Sequence, residues 1–264
     1  MALIRCNYFS EALGLSSSMH VILPQQSNRQ MGMDGSAEAL EKYPCLLLLH
    51  GLSDDDSIWQ RRTSIERYVA DLNLAVVMPN VHRSFYCNMK YGGQYWEFIS
   101  REILQIARGF FPLSERREDN YVAGLSMGGY GAFKLGLRKP EMFSAAASLS
   151  GALDVATLSN SNDPERISTL KPIFGEEIKI AGTDSDLMVC AEKLVDSGVD
   201  CPALYQCCGT EDFLYEDNIA FRDHATKLGL NLTYKESPGM HEWGFWDKQI
   251  QNVLEWLPLS SSQS

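Results

Sequence analysis

Short apolar runs alternate with longer amphipathic stretches along most of the chain. Cys45-Leu46-Leu47-Leu48-Leu49 is uninterrupted apolar sequence, the pattern of a strand covered on both faces. Leu74 to Met78, Phe143 to Leu149, Ala203 to Cys207 and Leu230 to Lys235 read as further strands. Ala2 to Phe9 and Ser18 to Leu23 look like a leading pair, the second closed by Pro24. Between the strands, Tyr95 to Phe110 has helical apolar spacing at Trp96, Ile99, Ile103 and Ile106. Arg61 to Asp71, Met188 to Asp196, Asn218 to Leu228 and Trp243 to Leu257 also read as helices. Strands alternating with helices predict an α/β domain, a mostly parallel central sheet of about eight strands with helices on both faces.

The punctuation of this pattern sets the domain organisation. Gln25 to Lys42 is polar and holds Gly32, Asp34 and Gly35, as an exposed hairpin loop would. Residues 154–186 are rich in Ser, Asp, Pro and Gly and read as a short insertion over the site, too short to be a domain. No linker or internal repeat divides the chain, so residues 1–259 are expected to form one domain, followed by a disordered tail at 260–264.

The chemistry concentrates at Gly124-Leu125-Ser126-Met127-Gly128. Asn120 to Ala123 before it is strand-like, and Met127 to Arg138 after it is helical, stopped by Pro140. A serine between them sits on a sharp turn whose neighbours must be small, and the helix N-terminus directs free N–H groups at the reacting centre. A serine hydroxyl needs a base, and the base needs an orienting acid. On a strand–turn–helix nucleophile the chain order is Ser, then acid, then His. His224 and His241 follow Ser126 with acids between. His224 falls mid-helix, whereas His241 lies on a loop between the last strand and the last helix, and is the stronger candidate. The acid should end the preceding strand, where Glu211 and Asp212 stand side by side. Asp212 is preferred, with Glu211 the alternative. The oxyanion donors expected are the backbone N–H groups of Met127 and of Leu52, the latter on the His50-Gly51-Leu52-Ser53 turn. His50 itself abuts a tight turn and suits a structural role.

These segments together resemble the tributyrin esterase group of α/β-hydrolases, related to esterase D and S-formylglutathione hydrolases and to small acetyl-xylan and feruloyl esterases. The resemblance rests on Leu49-His50-Gly51-Leu52-Ser53, Trp59 with Arg61-Arg62-Thr63, Val77-Met78-Pro79-Asn80 and Ala123 to Gly131. Ser150-Gly151-Ala152-Leu153, Cys208 to Tyr215 and Gly239-Met240-His241-Glu242-Trp243 complete it. It implies an α/β-hydrolase fold and hydrolysis of short acyl esters, acetyl to butyryl, of small alcohols or sugars. It also implies a triad of Ser126, Asp212 and His241, with no metal or organic cofactor. Trp59, Tyr91 and Trp243 are the candidate substrate contacts, Tyr91 within the aromatic-rich segment from Arg83 to Tyr95. Trp96 serves equally as helix core.

Charge narrows the partners. A net charge of −11 argues against nucleic acid and anionic membrane, leaving a small-molecule ester, with self-association open. The amino terminus lacks a basic region followed by an apolar core, and seven scattered cysteines include no C-x-x-C pair; both point to a reduced, cytoplasmic protein without a zinc site. Asp54-Asp55-Asp56 follows the oxyanion turn and has two readings: a solvated, helix-capping loop, or a charged border that disfavours anionic esters such as formylglutathione.

Overall fold

The continuous apolar strands divide by parity. Successive strand side chains point to opposite faces of a sheet. Accordingly Cys45, Leu47 and Leu49 enter one buried cluster, while Leu46 and Leu48 enter the other. Ala75 and Val77 part from Val76 and Met78 in the same way. Both faces are therefore covered, as the uninterrupted runs predict.

The computed structural model describes residues 1–25, 40–158 and 163–259. Its sheet contains eight strands: β1 (Ala2–Ser10), β2 (Leu15–Leu23), β3 (Cys45–Leu49), β4 (Ala75–Pro79), β5 (Asn120–Leu125), β6 (Ala145–Leu149), β7 (Ala203–Gly209) and β8 (Leu232–Ser237). Their order is β1-β2-β4-β3-β5-β6-β7-β8. The first two form an antiparallel hairpin, β2 pairs antiparallel with β4, and all later neighbours run parallel. The fold is the mostly parallel α/β-hydrolase sheet expected. Most of the expected polar loop at 25–42, and the tail at 260–264, lie outside the described residues.

Several helices follow the pattern closely. α5 (Met127–Arg138), α8 (Leu187–Ser197) and α9 (Tyr215–Lys227) cover the face shared by Leu47, while α10 (Trp243–Trp256) covers the opposite one. The stretch from Tyr95 to Phe110 comprises α3 (Tyr95–Glu97), a π-helical turn at Phe98–Glu102 and α4 (Ile103–Phe110). Among the described residues, no helix is long and apolar enough to cross a membrane.

One expectation needs correction. The helix read over 61–71 is two short pieces, α1 (Ile58–Arg62) and α2 (Ile65–Tyr68). Thr63 separates them: its hydroxyl donates to the Trp59 carbonyl at 2.6 Å and accepts from the Ile65 N–H at 3.1 Å, competing with the helical ladder. The segment 154–186 holds α6 (Val155–Leu158) and α7 (Pro164–Phe174). α7 starts as helices commonly do, with the Asp163 carboxylate accepting from the Glu165 N–H and Pro164 in the first turn. Pro172 lies near its end, and the carbonyls of Pro172 and Ile173 accept from the N–H groups of Tyr91 and Lys90 at 2.9 and 2.8 Å. The insertion is thereby docked on the loop that follows β4.

β3 and β5 lie side by side with Leu49 opposite Gly124, and α5 starts directly above them. A Cβ on Gly124 would come within 2.4 Å of the Gly128 carbonyl oxygen and 2.8 Å of the Leu49 Cβ. Gly124→Ala is expected to lower stability by about 1–3 kcal/mol through overpacking against backbone. Urea denaturation checks this; an unchanged midpoint would show that α5 can move away freely.

Candidate active site

Ser126 lies between β5 and α5 with φ 52° and ψ −119°, a conformation that residues with a Cβ rarely adopt. The backbone around it is tied on both sides. Its N–H donates to the Leu149 carbonyl at 2.9 Å, and its carbonyl accepts from Tyr130 and Ala152, each at 3.1 Å. The strained turn lifts the hydroxyl out of the sheet into a cleft.

Two loops from neighbouring strand ends meet that hydroxyl. Ser126 Oγ–H donates to His241 Nε2 at 2.9 Å. On the other side of the ring, His241 Nδ1–H donates to both oxygens of Asp212, at 2.9 and 3.0 Å. An ionised carboxylate only accepts, so Asp212 fixes the proton on Nδ1 and leaves Nε2 as an acceptor. Burial pushes the Asp212 carboxyl upward, but the hydrogen bonds from His241 and from the Leu214 N–H outweigh it and hold it below its usual value. The imidazole is packed between Phe213 and Trp246, with ring centroids 4.5 and 4.8 Å away.

Glu211 does not reach the imidazole. Its carboxylate accepts from the Gly239 N–H, and its own N–H donates to the Gly239 carbonyl at 3.1 Å. It thus holds the loop that carries His241. Gly209 allows this approach, because a Cβ there would lie 2.1 Å from the Gly239 oxygen. His224 sits on α9, its Nε2–H donating to the Met188 carbonyl at 3.3 Å in α8.

Leu52 and Met127 both border the cleft beside Ser126. Met127 is the first residue of α5, so its N–H has no acceptor within the helix. The Leu52 turn is braced by His50, which is buried. Its Nδ1–H donates to the Gly51 carbonyl at 2.7 Å, and its Nε2 accepts from the Val81 N–H at 3.0 Å. Tyr86 adds a bond from its hydroxyl to the His50 carbonyl at 2.8 Å.

The cleft has a volume of about 340 Å³. Phe85, Ala152, Leu170, Phe213 and Leu214 supply its apolar wall, and Asp163, Glu165, Arg166 and Thr169 of the insertion add a polar lip. None of the aromatic candidates Trp59, Tyr91 and Trp243 lines it. Trp59 is buried on the other face, its Nε1–H donating to the Leu49 carbonyl at 2.9 Å, with Trp243 edge-on against it. Tyr91 is 61% exposed. Its backbone, rather than its ring, is what the fold uses, through the contact with Pro172. The signal missed was the helix start at Asp163-Pro164-Glu165, which places α7 against the site.

The three acids after the oxyanion turn have separate roles. Asp55 accepts from the Ser57 N–H and hydroxyl at 2.9 and 2.6 Å, ahead of α1. Asp56 is buried and pairs with His20 at 2.9 Å. Asp54 alone borders a second, more open cleft that shares Leu52 with the first and also contains His82 and Arg83.

The sequence profile of the family described as "Putative esterase" matches residues 10–257. The chain belongs to the esterase family. An acetyl esterase of Caldicellulosiruptor saccharolyticus is 30% identical over 264 residues, covering 97% of this chain and 98% of the relative. Among solved structures, the substrate-bound fluorophosphonate-binding serine hydrolase F of Staphylococcus aureus is similar at a TM-score of 0.87 and 35% identity, covering 97% of this chain and 98% of its own. An S-formylglutathione hydrolase of the same organism gives 0.83 at 36% identity, with the same coverage. This esterase is therefore a serine hydrolase of the α/β-hydrolase fold.

The His50 brace has a pH consequence. Desolvation lowers the ring from 6.5 to about 4, so the folded protein disfavours its charged form. The stability it contributes is full above pH 6.5 and is lost as pH falls toward 4, a gap of about 3 kcal/mol. Unfolding free energies measured across this window should decline by that order in the wild type and by less in His50→Gln, which is weaker at neutral pH. Parallel declines would remove His50 from the account.

Proposed function

We propose that this esterase cleaves short acyl chains, acetyl to butyryl, from small alcohols or sugars through an acyl-enzyme on Ser126. The observation that carries the reading is the continuous hydrogen-bonded line from Asp212 through His241 to Ser126. His241 Nε2 takes the hydroxyl proton as Oγ attacks the ester carbonyl. The oxyanion forms against the N–H groups of Leu52 and Met127, at the start of α5, where the helix dipole also favours negative charge. His241 then returns the proton to the leaving alcohol, and a water activated by the same ring releases the acid. Asp212 holds the imidazole in the required tautomer and stabilises its charged form.

The substrate range rests on cleft size and polarity. The apolar wall around Ser126 suits a short hydrocarbon acyl group, and the polar lip from α7 suits a hydroxylated leaving group. The acetyl esterase relative supports the short-acyl reading. The unpaired state of all seven cysteines supports a reducing, cytoplasmic setting.

A second reading, S-formylglutathione hydrolysis, draws on the open cleft at Leu52. Arg83 and His82 there offset the Asp54 carboxylate and could receive an anionic leaving group. A panel of esters of graded acyl length, acetylated sugars and formylglutathione distinguishes the two. The first reading expects the highest kcat/KM on neutral acetyl to butyryl esters; formylglutathione outperforming them would replace it.

Ser126→Ala should leave the fold intact and lower kcat by about 10⁴ to 10⁶, with loss of fluorophosphonate labelling. Retention of activity within about tenfold would remove Ser126 as nucleophile.

A further inference from the structure

Lys134 stands out among the groups that ester cleavage leaves unused. It lies on α5 and is only 1% exposed. Its Nζ donates to Cys87 Sγ at 2.8 Å, and to the Tyr86 carbonyl and Ser185 Oγ, each at 3.3 Å. The rings of Trp96 and Tyr130 complete its surroundings, at 5.2 and 5.4 Å. Asp184, the carboxylate whose field reaches this amine, is engaged by Arg138 at 3.1 Å and Lys193 at 2.8 Å. A buried lysine usually meets a carboxylate; here its closest contact is a sulfur.

Cys87 is 3% exposed and belongs to an unusual segment. Phe85 and Tyr86, the two residues before it, both have left-handed backbones, with φ 49° and 51°. Phe85 forms part of the cleft wall, and the Tyr86 hydroxyl supports the His50 carbonyl beside the oxyanion turn. The Cys87–Lys134 contact therefore joins the cleft wall to the helix that carries Ser126.

We propose that Cys87 and Lys134 form an oxidation-sensitive pair that closes a covalent sulfur–nitrogen link between the cleft wall and the nucleophile helix. The oxidant is a peroxide, small enough to reach a nearly buried thiol. It converts the thiol to a sulfenic acid and is itself reduced, releasing water. Nζ then attacks the sulfur, the S–N bond forms and the S–O bond breaks. The lysine ammonium gives up two protons: one leaves with the hydroxide as water, the other passes to solvent. Sulfur has lost two electrons, and the peroxide has become two waters. A small thiol reverses the link by attacking sulfur and releasing the amine.

The geometry selects this cysteine. Cys45, Cys190, Cys201, Cys207 and Cys208 are each pushed upward chiefly by burial, which keeps them as inert thiols. Among the described residues, no lysine amine hydrogen-bonds any of these thiols, whereas Lys134 Nζ approaches Cys87 to 2.8 Å. The link would also close a loop between positions 47 residues apart, which restricts the unfolded chain.

The test uses the intact esterase, treated with hydrogen peroxide, alkylated, digested without reductant and examined by mass spectrometry. The expected product joins the peptides containing Cys87 and Lys134, at their summed mass less two hydrogens, and dithiothreitol separates them. Cys87→Ser, close to isosteric and outside the acyl-transfer machinery, should give no such product. The oxidised wild type should also melt at a higher temperature than the reduced one, a shift that Cys87→Ser lacks. Recovery of Cys87 as a free thiol or a sulfinic acid, unlinked after the same treatment, overturns the proposal. A joined pair heavier by one oxygen overturns the sulfur–nitrogen bond.

Discussion

The site depends on how closely α5 can approach the ends of β3 and β5. Ser126 occupies backbone space that costs on the order of 1–3 kcal/mol for a residue with a Cβ, so surrounding contacts must over-determine it. They do so at van der Waals limits: a Cβ on Gly128 would lie 2.6 Å from the Leu49 oxygen and 2.7 Å from the His50 oxygen. The same approach brings the Gly51-Leu52 turn beside Ser126. Ser126 and the turn are thus a single packed unit, and a shift in one moves the other. Tyr86 extends the unit outward, since its ring occupies the space that a Cβ on Gly131 would need and its hydroxyl holds His50.

Asp212 and His241 are positioned by a comparable device at the next strand ends. β7 and β8 are parallel neighbours, with Gly209 opposite Ser237 at their exits. The loops beyond them touch through Gly209 and Gly239, and the backbone and carboxylate of Glu211 secure the contact. Asp212 and His241 consequently arrive together. Aromatic packing from Phe213 and Trp246 limits rotation of the imidazole, so its orientation does not rest on hydrogen bonds alone. The two histidines differ in environment. His50 is enclosed and kept neutral as a brace, while His241 is partly exposed at the cleft.

The meeting of Ser126, Asp212 and His241 was legible in the sequence because all three sit at ends of strands whose apolar runs are unambiguous. Ser126, Asp212 and His241 each follow such a run, and flanking glycines mark the turns. The division of Cys45 to Leu49 between two cores was legible for the same reason, since parity alone determines it. What escaped reading depended on tertiary context. The break at Thr63 arises from a side-chain hydroxyl competing with backbone, in a stretch whose composition permits a helix. The α7 helix was obscured by Pro172 and by a polar composition, although Asp163-Pro164 signals its start. The aromatic candidates lie off the cleft, since an aromatic residue near a motif serves packing as readily as binding. Trp59 and Trp243 pack on the far side of the sheet, and Tyr91 faces solvent.

Most of the cleft wall comes from elements outside the packed unit around Ser126. Phe85, Leu170 and Leu214 belong to the apolar wall of the cleft that holds Ser126. Such a pocket discriminates chain length only by about 1–3 kcal/mol per methylene. The lip from α7 carries charges of both signs, with Arg166 3.7 Å from Asp163. Those charges are largely exposed, so salt screens them. The second cleft at Leu52 is different: burial pushes the Asp54 carboxyl upward, and Arg83 reaches across to Thr169 at 2.8 Å. Arg83 therefore spans both clefts, bonded to the helix that forms one and lining the other. In the reaction proposed, the leaving group would meet the side of the cleft that α7 seats, so substitutions in α7 are expected to act on specificity while the packed unit around Ser126 stays unchanged.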